Sequence, residues 1–147
     1  MNFEDCLEKR LLRKEKPDIE KAKLSLEIAE ERIIDSQIAK DAELYSAVIV
    51  LAYAAMFHAS RALLFKEGYV EKSHVCLIEF VKRFYVYKGI IEKKFIPILN
   101  NAREERHEVL YGLTKRETKE EAEYILREAD EYLKKINLIV NNIKYKK

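Results

Sequence analysis

The chain has 147 residues, of which only 3 are Gly and 2 are Pro, where average usage would make roughly 12% of the chain. So few turn residues exclude a sheet-rich fold and any phosphate loop built on glycine. Lys and Arg number 28 against 26 Asp and Glu, a formal net charge of +2, so no global field draws in nucleic acid and an anion site has to be a local cluster. Hydrophobic residues make up 48% and charged residues 37%, which is enough apolar matter for a core and too much for a disordered chain. The expected fold is all-α: an up-and-down bundle of four main helices plus a short N-terminal helix, in one domain over residues 1–147.

In chain order, Glu4 to Lys16 reads as a helical lead-in that ends at Pro17. Asp18 is placed to cap a helix on which Ile19, Ala22, Leu26, Ala29 and Ile33 recur at three- and four-residue steps, running to about Gln37. The opposite side, Glu20, Lys23, Glu27 and Glu31, reads as a solvated face. A second helix is expected from about Asp41 to Lys66, with Gly68 as its stop. Its middle, Ala47 to Phe57, is apolar all the way round, as only a central helix can be, and is expected to be the most buried segment. Ala52, Ala55, Ala59 and Ala62 form a stripe without bulk that reads as close core packing.

Ser73 can cap a third helix with Cys76, Leu77, Phe80, Val81 and Phe84 on one face, ending before Gly89. A fourth begins near Ile91 or at Pro97 and stops at Gly112. The last opens on Thr118 to Glu121, a capping box, and continues with Ala122, Ile125, Ala129, Tyr132, Ile136, Ile139 and Ile143 at heptad spacing. Lys144, Lys146 and Lys147 make a basic tail.

The N-terminus lacks the apolar centre of a signal peptide, and the run Ala47 to Phe57 falls short of the ~18 residues of a membrane span. The expectation is a cytoplasmic protein without a membrane segment. Cys6 and Cys76, far apart and at no zinc spacing, are expected to be reduced thiols. His58, His74 and His107 have no partners at metal spacing, and neither H-E-x-x-H nor G-x-S-x-G is present. No metal or cofactor is expected.

The chemistry concentrates in Asn101 to Gly112. At 100° per residue, Ile98, Leu99, Ala102, Val109, Leu110 and Leu113 form an apolar arc, and Arg106 falls inside it. A guanidinium there needs a carboxylate, a ring face, a partner subunit or a bound phosphate, because a buried charge is not left unpaired. Arg103, His107 and Tyr111 step at four-residue intervals along the adjacent edge. Two guanidiniums, an imidazole and a phenol on one edge can grip a phosphate and move a proton; they can equally pair with acids of a neighbouring helix. Elsewhere, His58 and Arg61 read as a buried hydrogen bond or ion pair, Tyr53 as core, His74 as exposed. The basic groups Lys9, Arg10, Arg13 and Lys14, and Lys82 with Arg83, read as solvated faces.

The segment Ala47-Val-Ile-Val-Leu-Ala-Tyr-Ala-Ala-Met-Phe-His-Ala-Ser-Arg-Ala-Leu-Leu64 resembles the A-V-x-x-x-Y-Y-A-M-F-H-A-A-R-A-L-L segment of prokaryotic HEPN domains. The later Arg-His-Glu-Val-Leu-Tyr-Gly, ending at Gly112, is similar to that group's R-x-x-x-D-Y-G. The likeness runs from about Asp18 to Gly112. It implies a helical bundle that dimerises, with the signature helix lining a cleft between subunits, and a minimal nucleotidyltransferase as partner in a toxin–antitoxin-like system. Active members of the family are metal-independent RNases using Arg, then Asn, His or Asp, three further residues, and His. On this chain these positions are Arg106, His107 and Tyr111. The phenol at the last position is a poor proton shuttle at neutral pH, with an ordinary pKa near 10 against about 6.5 for imidazole. A Tyr two residues beyond the terminal His, modified in some toxins, is replaced by Leu113.

Three functions stay open. The first is a nucleotide- or RNA-binding protein with Arg103, Arg106 and Tyr111 as contacts. The second is an active RNase with Arg106, His107 and Tyr111 as its catalytic residues. The third is a helical protein-interaction module without a ligand.

Overall fold

A computed structural model describes residues 1–101 and 118–141. It is an all-α bundle with a short N-terminal helix, built on three helices of 23 residues each: α2 (Ile19–Asp41), α3 (Tyr45–Glu67) and α6 (Lys119–Asn141). The shorter elements are α1 (Phe3–Glu8) and α4 (His74–Val81), with α5 helical over residues 95–101. Two three-residue strands, β1 (Leu12–Lys14) and β2 (Tyr69–Glu71), form an antiparallel ribbon pairing Leu12 with Glu71 and Lys14 with Tyr69.

The starts and stops have local causes. Asp18 Oδ1 accepts the Lys21 N–H at 3.0 Å at the head of α2, and Thr118 and Glu121 cap α6 reciprocally at 3.1 and 3.0 Å. Gly68 ends α3 with φ +89°. A Cβ there would lie 2.5 Å from the Glu15 carbonyl oxygen, so only glycine lets the chain before α2 close on the end of α3. Pro97 falls in the first turn of α5, where its missing N–H costs nothing.

α2 and α3 run antiparallel in close contact, as two serine bonds show. Ser36 Oγ donates to the Val48 carbonyl at 3.0 Å, and Ser25 Oγ to the His58 carbonyl at 2.7 Å. Such reach from a one-carbon side chain needs backbones close together, and the alanines provide the room: Ala22 and Ala29 of α2 and Ala52, Ala55, Ala59 and Ala62 of α3 are all fully buried. α6 covers α3 from another side with Ala122, Ile125, Ala129, Tyr132, Ile136 and Ile139, all buried at the expected spacing. Tyr132, fully buried, places its hydroxyl 2.7 Å from Ser60 Oγ. Burial pushes that phenol well above its usual range.

Several expectations are corrected. Residues 12–14 are a strand rather than part of a helical lead-in, because pairing with β2 holds Leu12 in the core and draws α1 back across the molecule. That path brings Cys6 of α1 against Cys76 of α4. The two are joined in a disulfide across 70 residues of sequence, with Cα atoms 5.7 Å apart, so they are not reduced thiols. Sequence separation hid a pair that the ribbon makes adjacent. Ile19 is 42% exposed, although Ala22, less than one turn on, is fully buried.

The segment Ala47 to Phe57 is not the most buried part of α3. Val48, Ile49, Ala52, Tyr53, Ala55 and Met56 are buried, whereas Ala47, Val50, Leu51, Ala54 and Phe57 are half-buried. The continuous buried stretch is Ala62 to Phe65. α3 is apolar and long enough to cross a bilayer by composition, yet two-thirds of its most apolar window is packed inside the protein. A central helix has the same composition.

Candidate functional site

Arg103, Arg106, His107 and Tyr111 lie outside the described residues, as do Gly112, Ile143 and the basic tail. Residues 95–101 carry the first part of the expected apolar arc, and its Ile98 and Leu99 are buried.

Within the described residues, polar and aromatic groups converge along α3. At 100° per residue, Ala47, Val50, Leu51, Ala54, Phe57, His58 and Arg61 share a sector, and all of them are half-buried. Its C-terminal end is an aromatic and cationic ridge. Phe57, Arg61 and Phe65 sit one turn apart, so the Arg61 guanidinium lies 5.6 Å from the Phe57 ring centre and 5.1 Å from that of Phe65. Stacking of this kind suits the flat, weakly hydrated guanidinium. Arg61 Nε also meets Glu71 Oε1 of β2 at 3.3 Å, with the Glu71 side chain 8% exposed and that of Arg61 30% exposed. Lys21 of α2 lies 4.8 Å over the other ring, Phe65.

β2 and the cap of α4 bring the remaining groups. Ser73 Oγ accepts the Cys76 N–H and starts α4, which aims His74 back at α3. The His74 ring packs 4.9 Å from Phe57 and 5.8 Å from Tyr53, and the Tyr53 hydroxyl hydrogen-bonds its Nδ1. His74 is thus half-buried in an aromatic cluster and not exposed beside a cap, as its place next to Ser73 suggests. Tyr53 is 4% exposed, as core, though with a bonded hydroxyl.

The pairing read between His58 and Arg61 is corrected in its partner. Arg61 pairs with Glu71, while the His58 ring packs on Phe57 at 5.5 Å. His58 is held below the usual imidazole range, first by burial and then by the nearby cations Arg61 and Arg32. Arg32 of α2 is itself bonded to Asp35 at 2.6 Å. Three groups that can carry positive charge therefore cluster at the α2–α3 edge. The only advance sign was the spacing of 57, 58, 61 and 65 on one helix; the contributions of Arg32, Glu71 and His74 depend on tertiary packing.

The other basic groups are neutralised or exposed, as read. Lys82 bonds Glu79 at 3.0 Å, Arg83 pairs with Glu4, and Arg13 lies 3.7 Å from Glu15. Among the described residues no three His, Cys, Asp or Glu side chains converge as a metal ion would need.

A HEPN domain profile matches residues 22–139, a span that includes both α3 and the Arg106 segment. Two proteins of Methanocaldococcus jannaschii are similar to the chain. "Putative toxin MJ0605" is 31% identical over 118 residues, covering 80% of this chain and 87% of the relative. "Putative toxin MJ0142" is 30% identical over 127 residues, covering 85% and 82%. The signature segment of α3, the helical bundle around it and a match over most of the length agree: the chain belongs to the HEPN domain family.

Proposed function

We propose that this toxin-like HEPN protein acts by binding RNA or a nucleotide, with Arg106 as its principal phosphate contact and Arg103 and Tyr111 beside it. The observation that carries the reading is the family match, which runs through the Arg106 and His107 motif in a chain whose relatives bear toxin names. A guanidinium inside an apolar arc is well suited to a bidentate phosphate contact in a partly desolvated cleft. Tyr111 stands where active family members have His, which favours binding over cleavage. The half-buried apolar residues Ala47, Val50, Leu51 and Ala54 supply a face that a second copy would cover, in line with a homodimer. A minimal nucleotidyltransferase is the proposed partner, and a cytoplasmic location goes with that role. The Cys6–Cys76 disulfide, however, takes away the reduced thiols that argued for a cytoplasmic location.

The toxin names of the relatives favour a second reading, a metal-independent RNase in which Arg106 stabilises charge while His107 and Tyr111 handle protons. Both readings are tested with one set of proteins. Arg106→Ala should weaken binding of a single-stranded RNA at least tenfold at fixed salt, about 1.4 kcal/mol. A folded Arg106→Ala variant that binds like the parent would remove the site assignment. RNA cleavage by the parent in the presence of a chelator, rising in Tyr111→His, would move the conclusion to the RNase. Capture of a partner protein with no RNA bound by any variant would leave the interaction module.

A further inference from the structure

We propose that the Arg61-centred ridge of α3 is a second RNA contact, at which a strand phosphate meets Arg61 and an unpaired base packs on the aromatic edge formed by Phe57 and His74. The inference rests on the RNA-binding reading above and adds a site to it. Two aromatic rings, Phe57 and Phe65, have their centres within 5.6 Å of the Arg61 guanidinium carbon, and its Nε is taken by Glu71. Among the described residues its two Nη groups have no hydrogen-bond partner. The rings and the acid thus fix the plane of the fork and leave its outer donors for a phosphate. The His58 ring likewise has no hydrogen-bond partner among the described residues. It stands half-buried beside Arg61 and Arg32, where a ring N–H can donate to the same phosphate.

The aromatic groups speak for a nucleic acid strand rather than a lone anion. Phe57 is half-buried, with His58 and His74 packed on it and Tyr53 stacked at 6.5 Å. Rings interleaved with cations are how single strands are held without sequence readout. α3 is held in the bundle by its alanine and serine contacts to α2 and by α6, and exchanging both partners of the Arg61–Glu71 pair together leaves those contacts in place.

The test uses the full chain and an unstructured single-stranded RNA labelled at one end. Arg61→Gln paired with Glu71→Gln keeps the net charge and leaves no orphaned carboxylate; Arg61→Lys keeps the charge and loses the fork. The double variant should bind RNA at least fivefold more weakly at constant salt, and Arg61→Lys should fall between it and the parent. Phe57→Leu should lower affinity for the RNA more than for inorganic pyrophosphate. A folded double variant that matches the parent, while Arg106→Ala loses affinity, overturns this second contact and leaves the primary reading standing. A parent protein that binds no RNA overturns both. Loss of pyrophosphate and RNA binding in equal proportion in Phe57→Leu would overturn the base-packing half of the proposal.

Discussion

Two sides of the same helix make the instructive contrast in this protein. On one, Ala52, Ala55, Ala59 and Ala62 are completely buried, and α2 approaches closely enough for serine hydroxyls to reach the α3 backbone. About 120° round the helix, Ala47, Val50, Leu51, Ala54, Phe57, His58 and Arg61 are half-open. The first side is uniform, small and satisfied; the second changes along its length from apolar to aromatic and cationic. Packing explains the first side fully. It does not explain the donors left over at the end of the second, where the Arg61 Nη groups and the His58 ring have no hydrogen-bond partner among the described residues, and those donors are what point to a ligand.

The largest expected effect falls on the elements beside the open side. α1 is tied to α4, which carries His74, by the Cys6–Cys76 disulfide. Replacing both cysteines with alanine should cost about 2–4 kcal/mol in denaturant unfolding, the usual range for a native disulfide. A loss below about 1 kcal/mol would show that the ribbon and the Phe3 packing suffice to hold α1.

On the closed side, Ala59→Leu should cost about 1–3 kcal/mol, because inserted methylenes have no room against α2 and α6. Urea unfolding measures it directly, and an unchanged midpoint would show that the alanine stripe is not a close-packed seam. The smallest effect is a pH dependence at the open side. His58 is held below its ordinary value of 6.5, with Arg61 on its own helix and Arg32 on α2 beside it. Below that value the unfolded chain takes up the proton more readily, so stability is kept above it and falls as pH drops. The slope should flatten in His58→Gln; an identical slope would mean that His58 titrates as it does in the unfolded chain.

Much of the closed side was legible in the sequence. The cap at Asp18, the stop at Gly68, the capping box at Thr118 and the heptads of α6 are local patterns with local causes, and each stands where its residues placed it. What failed was non-local. The three-residue strands are too short to declare a period, and the disulfide depends on the ribbon they form. Apolarity all round Ala47 to Phe57 suggested complete burial, but hydropathy does not say which sector a neighbour covers. The candidate site divides the same way. Phe57, His58 and Arg61 could be read from spacing, whereas Glu71 and His74 join them through β2 and the turn into α4.

The most direct measurement takes affinity and stability from the same sample. RNA titrations and urea unfolding of Arg61→Gln with Glu71→Gln, run beside the parent at one salt concentration, separate a residue that binds from one that packs. The expected result is at least a fivefold loss of RNA affinity with stability changed by less than about 1 kcal/mol, because the double exchange removes both charges of a largely buried pair together and leaves neither uncompensated. Unchanged affinity with a loss of several kcal/mol would contradict it, and would make Arg61 part of the core's support like the alanines on the other side of the helix.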